Sequence, residues 1–454
     1  FYNGVATQSL RMDYGSNPNL NITNSGSPTL NTKGTLSFWY KRGIQGSGTG
    51  QHQYLIHTGT GTANNTHMDL KIQTGDVLGI GAYSNTPFLG SRLLRDGSAW
   101  YHIVVAFDST SGTASERLIK VYVNGVAQTG TFGAVAQNQQ FPWINASQAI
   151  YIGRHTTVNR PMDGYLAEWN LIDGQALTPT SFGETKNGVW IPIKYTGTYG
   201  DNGARLKFDQ VGVGTASTST IGADTSGNTN HWTSSGIAAS DCAMPDSPEN
   251  NFPTMNPLKV PTSNLAALSE GNLKCVGPAP GTPTVLSTMA IPTSGKWYAE
   301  FERTAQYNGV GIVKDSIANL AVHAGVDANG YVYYDTGGAK YNNNSSASYG
   351  SAWSDGTIIG VAYNADDGEL TFYQDNSSQG VAYSSLAGEF HFCWSDMGNN
   401  STPAGVWNFG SDSSFAGNST AQGNTDGNGV GDFFYAPPSG FLALASKNLP
   451  ESTI

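Results

Sequence analysis

Charge is what this sequence has least of. Asp, Glu, Lys and Arg make up 12% of its 454 residues, about half of the roughly 25% usual in soluble domains. The 33 acidic and 22 basic residues leave a formal net charge of −11, spread along the chain with no block of either sign. Nucleic-acid binding needs a clustered basic surface, so the sequence argues against it. Cysteine is scarce too. Cys242, Cys275 and Cys393 form no CxxC and no regular framework. An odd, sparse count in a chain of this size points to buried free thiols, with a Cys242–Cys275 bridge as the alternative. No apolar run approaches the roughly 20 residues of a membrane span. There is no signal peptide, and a start at Phe1 rather than Met suggests a processed chain or an excerpt of a longer one.

Sequence signatures of common catalytic sites are absent as well: no GxSxG elbow, no HExxH and no P-loop occurs. Cys393 lies in an apolar run, FHFCW, and reads as core rather than nucleophile.

What is present is glycine, 57 of them, many Asn, Ser and Thr residues, and 11% aromatics. Turn formers with aromatics indicate packed β-structure rather than disorder. The stretch Pro161 to Glu184 is informative. A turn pair, Asp163-Gly164, precedes an alternation that sends Tyr165, Ala167 and Trp169 one way and Leu166, Glu168 and Asn170 the other. Asp173-Gly174 makes the next turn, and Thr178-Pro179 reads as the cap and first position of a single helical turn.

Before it, strands are expected at Gln8–Tyr14, Thr35–Tyr40, Tyr54–His57, Met68–Ile72, Val77–Tyr83, Trp100–Phe107, Leu118–Val123 and Ile150–Gly153. Gly43–Gly50 reads as a loop, and Asn124-Gly125 as a two-residue hairpin turn. Residues 206–293 are rich in Gly, Pro and Asn and read as an ordered, irregular connector with a short helix at Asn264–Leu268. From about Ser294, strands are expected at Lys296–Glu302, Val310–Val313, Ala321–Val326, Tyr331–Asp335, Thr357–Tyr363, Glu369–Gln374, Gly388–Trp394 and Val406–Phe409. In the first of these, Trp297, Ala299 and Phe301 share one face, with Tyr298, Glu300 and Glu302 on the other. The expected fold is all-β: two jelly-roll sandwiches, 1–205 and 294–454, joined by the connector.

The strings GSAWYHIVVAFDSTSGTASERLIKVYVNG, IYIGR and MDGYLAEWNLIDGQALT resemble the laminin-G-like, concanavalin A-like jelly roll over residues 1–200. GKWYAEFE, DGTIIGVAYNADDGELTFYQDN, FHFCWS and WNFG resemble the SPRY domain over residues 294–450. The order of these parts, with DSPENNFPTMNPL between them and APPSGFLALASKNLPE after, resembles virion proteins of tailed bacteriophages: tail fibres or capsid-attached appendages. That resemblance implies a location on the particle surface, other virion proteins as partners, and a homo-oligomer, commonly a trimer. Many copies would strengthen weak individual binding events.

The laminin-G-like fold includes glycan binders, protein binders and glycosidases, so function must be argued from a site. A jelly-roll glycosidase needs two carboxylates about 5–5.5 Å apart, as in Glu-x-Asp-x-x-Glu, and no such run occurs. The nearest pairs are Glu300/Glu302, in a strand that the SPRY resemblance makes structural, and Asp163/Glu168, where Asp163 is a turn residue. Sugar recognition uses aromatic faces with polar neighbours. Tyr333, Tyr334, Tyr341, Tyr349 and Trp353, interleaved with Asn342-Asn343-Asn344, form one candidate surface; Trp143 with Phe141 and Tyr83 forms another. No cofactor is implied, with calcium the one metal to weigh. Asn424, Asp426 and Asn428 place oxygens at alternate positions before a glycine, and Asp432 adds one more, without the closing Glu of a calcium loop. By resemblance, Asp69, Asp96 or Asp163 could bind calcium at a sheet rim. His67 and Asp69 share a strand face that could hold a cation. The expectation is a non-enzymatic virion protein binding host-surface glycans; a polysaccharide depolymerase and a ligand-free bracing protein are the alternatives.

Overall fold

The computed structural model describes residues 3–43, 52–59, 63–261 and 263–450; most of the expected loop Gly43–Gly50 lies outside them. The chain forms two compact units, Phe1–Glu249 and Asn250–Ser452. Both are built of sheets that are antiparallel but for one short pair in the second, and among the described residues every helix is a single 3-10 turn.

In the first unit a seven-stranded sheet runs Leu10–Met12, Gly164–Asp173, Lys33–Arg42, Trp100–Asp108, Lys120–Val123 and Val126–Ala127, with Ala204–Leu206 also paired to Gly164–Asp173. An eight-stranded sheet runs Gly130–Phe132, Phe88–Leu93, Val77–Ala82, Met68–Ile72, Gln53–Thr58, Ala149–Ile152, Asn19–Thr23 and Thr233–Ser235. Phe38, Ile103, Val105 and Trp169 from one sheet share a core with Ile56, Leu70 and Ile80 from the other. The Asn124-Gly125 hairpin has φ of 50° and 76° at its two central residues, the left-handed pair that matches strand twist.

The strand Gly164–Asp173 departs from the expected alternation. Its register against Lys33–Arg42 shifts between Ala167 and Asn170, and Glu168 takes φ of 45°. This β-bulge inverts the pattern after Ala167. Leu166, Trp169 and Leu171 therefore line the main core, while Tyr165 and Ala167 pack on the other face with Trp39 and Trp100.

Residues 206–249 are not a connector. Thr233–Ser235 extends the eight-stranded sheet, and Ile221, Trp232, Ile237 and Cys242 enter the main core. Carboxylates fasten the rest. Asp241 pairs with Arg11 at 2.9 Å and Asp246 with Lys41 at 2.6 Å, both buried. Glu249 accepts from the amides of Gly4, Val5 and Ala6 at 2.9, 2.7 and 3.0 Å. Bonds from side chains to backbone replace the ladders that a regular strand would use, which is why so turn-rich a composition is ordered.

The other half of the expected connector belongs to the second unit, which starts at Asn250 rather than Ser294. Its eight-stranded sheet contains Ala267–Ser269, Lys274–Val276, Ala404–Asn408, Lys296–Ala305, Ile358–Asn364, Glu369–Gln374 and Ser377–Tyr383 in that order, with Leu442–Ala443 lying parallel to Lys296–Ala305. The six-stranded sheet runs Thr284–Leu286, His391–Asp396, Asn308–Val313, Gly330–Tyr334, Ala339–Asn342 and Ser345–Ser348. The helix expected at Asn264–Leu268 is replaced by the strand Ala267–Ser269, and the strand expected at Ala321–Val326 by a 3-10 turn, Ala324–Val326. Trp297, Ala299 and Phe301 face the core as expected. Tyr298 does not face solvent: Phe252, Val430, Phe433, Ala443 and Ala445 cover it.

All three cysteines are buried and free.

Candidate functional site

The eight-stranded sheet of the first unit carries a polar row on the face away from its core. Cross-strand pairing lines up Gly81, Asp69, His57, Tyr151, Asn21 and Thr233, one residue from each of six neighbouring strands. Directly paired residues share a face. The adjacent row, Ile80, Leu70, Ile56 and Ile152, is core.

At the Asp69 end the row thickens into a cluster. The rings of His57 and His155 lie 3.8 Å apart between centroids, those of His57 and His67 5.1 Å, and those of Tyr54 and His155 4.7 Å. Asp69 Oδ1 accepts from the Gly81 amide at 3.3 Å and pairs with Lys71 Nζ at 2.9 Å. Asp69 Oδ2 lies 3.7 Å from His67 Nε2. Glycine at 81 leaves room for the carboxylate: a Cβ there would sit 2.8 Å from Asp69 Oδ2.

The electrostatics follow from burial and crowding. Burial, reinforced by the neighbouring imidazoles His155 and His67, pushes His57 down to about 3, and burial is the main cause that takes His155 to about 4. Burial alone would raise the Asp69 carboxyl, but hydrogen bonds from His67 and Lys71 outweigh it and hold the group below its ordinary value. Near neutral pH the His57 and His155 rings are thus uncharged, beside the Asp69 carboxylate. The exposed ring of Tyr83, 53% accessible, follows Gly81 by two residues. His67, Asp69 and Tyr83 were visible as candidates in the sequence. His57, His155, Lys71 and Tyr151 were not, because only the strand register brings them together.

The aromatic candidates of the second unit separate into two groups. Tyr333 and Trp353 are core residues, at 0% and 3% exposure, and Trp143 of the first unit is wholly buried with its Nε1 donating to Met68 O at 3.1 Å. Phe141 is buried beside it. None of these rings is open to a sugar, because alternate strand residues must fill the sandwich. Tyr349 is half-buried, edge-on to Tyr333, its hydroxyl donating to Gly380 O at 2.5 Å. Tyr334 and Tyr341 remain half-exposed, edge to face at 5.8 Å.

Asp426 organises a clasp. Its Oδ1 accepts from the amides of Asn428 and Val430 at 2.9 and 3.0 Å, and its Oδ2 from the Ala443 amide at 2.9 Å and Asn448 Nδ2 at 2.7 Å. Asn424 Nδ2 donates to Phe434 O at 2.7 Å, and Asn428 Nδ2 to Asn448 Oδ1 at 2.9 Å. Asp432 accepts from the Ser413 amide at 3.2 Å. The four candidate calcium ligands of the sequence are each engaged in protein hydrogen bonds.

The carboxylate pairs are structural too. Glu300 accepts from the amides of Phe434 and Tyr435, both at 2.8 Å, and from Asn408 Nδ2 at 3.1 Å. Glu302 accepts from Ser419 Oγ at 2.8 Å. Asp163 accepts from the Tyr14 amide at 3.0 Å, and Glu168 pairs with Arg205 at 2.7 Å.

Residues 14–181 match the family model of the concanavalin A-like lectin/glucanases superfamily, and residues 296–402 that of the SPRY domain. No curated protein sequence matches the chain. Among solved structures, the SPRY domain of human HERC1 is 14% identical with a TM-score of 0.30, over 35% of this chain and 97% of that one. The PSpry domain of TRIM65 is 14% identical with a TM-score of 0.29, over 35% and 92%. Lectin-like and SPRY domains are typically non-catalytic, and lectin-like domains can bind carbohydrate. Among the described residues, no helix is long and apolar enough to cross a membrane.

Proposed function

We propose that this chain is a non-enzymatic recognition protein that binds surface glycans through the polar row of its first sandwich. The observation that carries the reading is the accessible part of that row: Tyr151, Asn21 and Thr233 in register across a lectin-like sheet, on the face turned away from the core, beside the buried His57 and Asp69. An amide and a hydroxyl at strand spacing suit the hydroxyls of a sugar, and Tyr151 supplies a half-exposed ring beside them. The order of the chain's parts, which resembles that of tailed-phage appendages, supplies the context: a homo-oligomer, trimeric in such appendages, on the particle surface, held by other virion proteins and meeting host polysaccharide. Many copies per particle turn weak single contacts into firm attachment.

The test is binding of the chain, clustered on beads, to host cells before and after periodate oxidation of their surface sugars. Binding should disappear after periodate, and Tyr151→Ala should weaken it by about tenfold, as loss of a ring contact worth roughly 1–1.5 kcal/mol implies. Binding that survives periodate would overturn the glycan reading. Absence of binding to intact cells would favour a bracing role instead, and release of reducing ends from the polysaccharide a depolymerase.

A further inference from the structure

We propose that His57, His67 and Asp69 form a binding site for a divalent first-row transition ion of the zinc class. The inference goes beyond glycan recognition and does not depend on it.

Three features of the cluster support this. The first is geometric. One nitrogen from each histidine and one carboxylate oxygen lie within 4.8 Å of one another. A zinc ion held at about 2.0–2.2 Å needs its ligand atoms roughly 3.4 Å apart. The gap is at most about 1.4 Å, and His67 stands partly exposed at the end of the cluster. The second is chemical. Two imidazoles and one carboxylate form the donor set that suits zinc, cobalt or nickel, whereas calcium takes six to eight oxygens.

The third feature is an unmet need. His57 is fully buried, yet its Nδ1 makes no hydrogen bond of good geometry, with only the Gly59 backbone as a weak neighbour. Its Nε2 meets Thr156 Oγ1 at 3.2 Å. A buried polar nitrogen without a strong partner is costly, and the ring holds one of the three ligand atoms that gather here. Asp69 is already oriented for one-oxygen coordination: Lys71 and the Gly81 amide hold Oδ1, and Oδ2 is the oxygen turned toward His67. Such outer partners fix a ligand's direction. His155 is a packing residue rather than a ligand. Its Nδ1 accepts from the amides of Thr157 and Val158 at 3.1 and 3.4 Å. The fourth position is left to water or a ligand oxygen.

The experiment is a Co2+ titration of the full chain, purified without a histidine tag and stripped with chelator. One Co2+ per chain should bind, with the visible absorption of a four-coordinate ion bearing nitrogen ligands, and Zn2+ should displace it. His67→Ala alters a partly exposed side chain at the end of the cluster. It should weaken binding beyond the roughly 10–100-fold seen when a metal ligand's outer partner is lost. No absorption band in the wild-type chain would overturn the proposal. So would undiminished binding by His67→Ala, or displacement of Co2+ by an equal concentration of Ca2+.

Discussion

Glu168 and Arg205 form a two-pronged pair across neighbouring strands, with Oε1 2.7 Å from Nε and Oε2 3.1 Å from Nη2. The pair explains the bulge that inverts the strand Gly164–Asp173. An undistorted strand would turn Glu168 and Trp169 to opposite sides from those they take. The left-handed backbone at Glu168 lets Trp169 enter the core while the carboxylate meets its guanidinium. Removing one partner of a buried pair costs about 3–5 kcal/mol, because the other is left uncompensated. Arg205→Met should lower the first unit's stability by that amount, seen as an earlier urea transition, and adding Glu168→Gln should restore part of it. A loss below about 1 kcal/mol would put the pair in the class of solvent-screened surface bridges.

Glu300 makes the second unit sensitive to pH. Burial pushes its carboxyl from an ordinary 4.5 up to about 7, against the pull of its hydrogen bonds from Tyr435, Phe434 and Asn408. Because the folded value is the higher one, the native state holds the proton longer. The stabilisation is fully present below pH 4.5 and is lost as pH rises toward 7, by about 3 kcal/mol at most. Asp396, pushed up to about 6 by burial, adds a slope of the same sign. Urea midpoints measured across this window should fall with rising pH, and Glu300→Gln should remove the larger part of that fall. A variant that keeps the full slope would show that Glu300 is not its source.

The Asp426 clasp predicts a result for calcium. Four donors already occupy the carboxylate, so a cation would have to displace N–H groups that now bond to it. Calcium or chelator should leave the melting temperature of the second unit unchanged. Asp426→Ala should lower its stability by about 2–4 kcal/mol, since it strands buried amides. A calcium-dependent rise in melting temperature that Asp426→Ala abolishes would contradict this.

The cysteines offer an inexpensive check on the cores. Burial pushes Cys242 up to about 12, and Cys275 and Cys393 higher still. The thiolate is the reactive form. An alkylating reagent at mildly alkaline pH should modify none of the three in the native chain and all three in denaturant. Labelling of Cys393 in the folded protein would mean that its sheet opens.

By itself the sequence determined the architecture. Alternation at Trp100–Asp108, the Asn124-Gly125 turn and the run Trp297–Phe301 named two sandwiches, because a strand with one buried face must repeat every second residue and left-handed turn positions admit few residue types. It did not determine which aromatics were free. Tyr333 and Trp353 look no different in the sequence from Tyr334 and Tyr341, and only the facing sheet decides which of them it covers. Nor could composition distinguish a connector from sandwich wall. Residues 206–249 carry few large apolar groups, and what orders them is long-range: Asp241 to Arg11, Asp246 to Lys41, Glu249 to the amides of residues 4–6. The histidine cluster is the extreme case. His57, His67 and His155 are spread over almost a hundred residues, and no local pattern links the first two to the third. Their meeting is fixed by the register of Gln53–Thr58 against Met68–Ile72 and Ala149–Ile152. Register depends on how both faces of a sheet pack against the rest of the molecule, and that is a property of the tertiary structure alone.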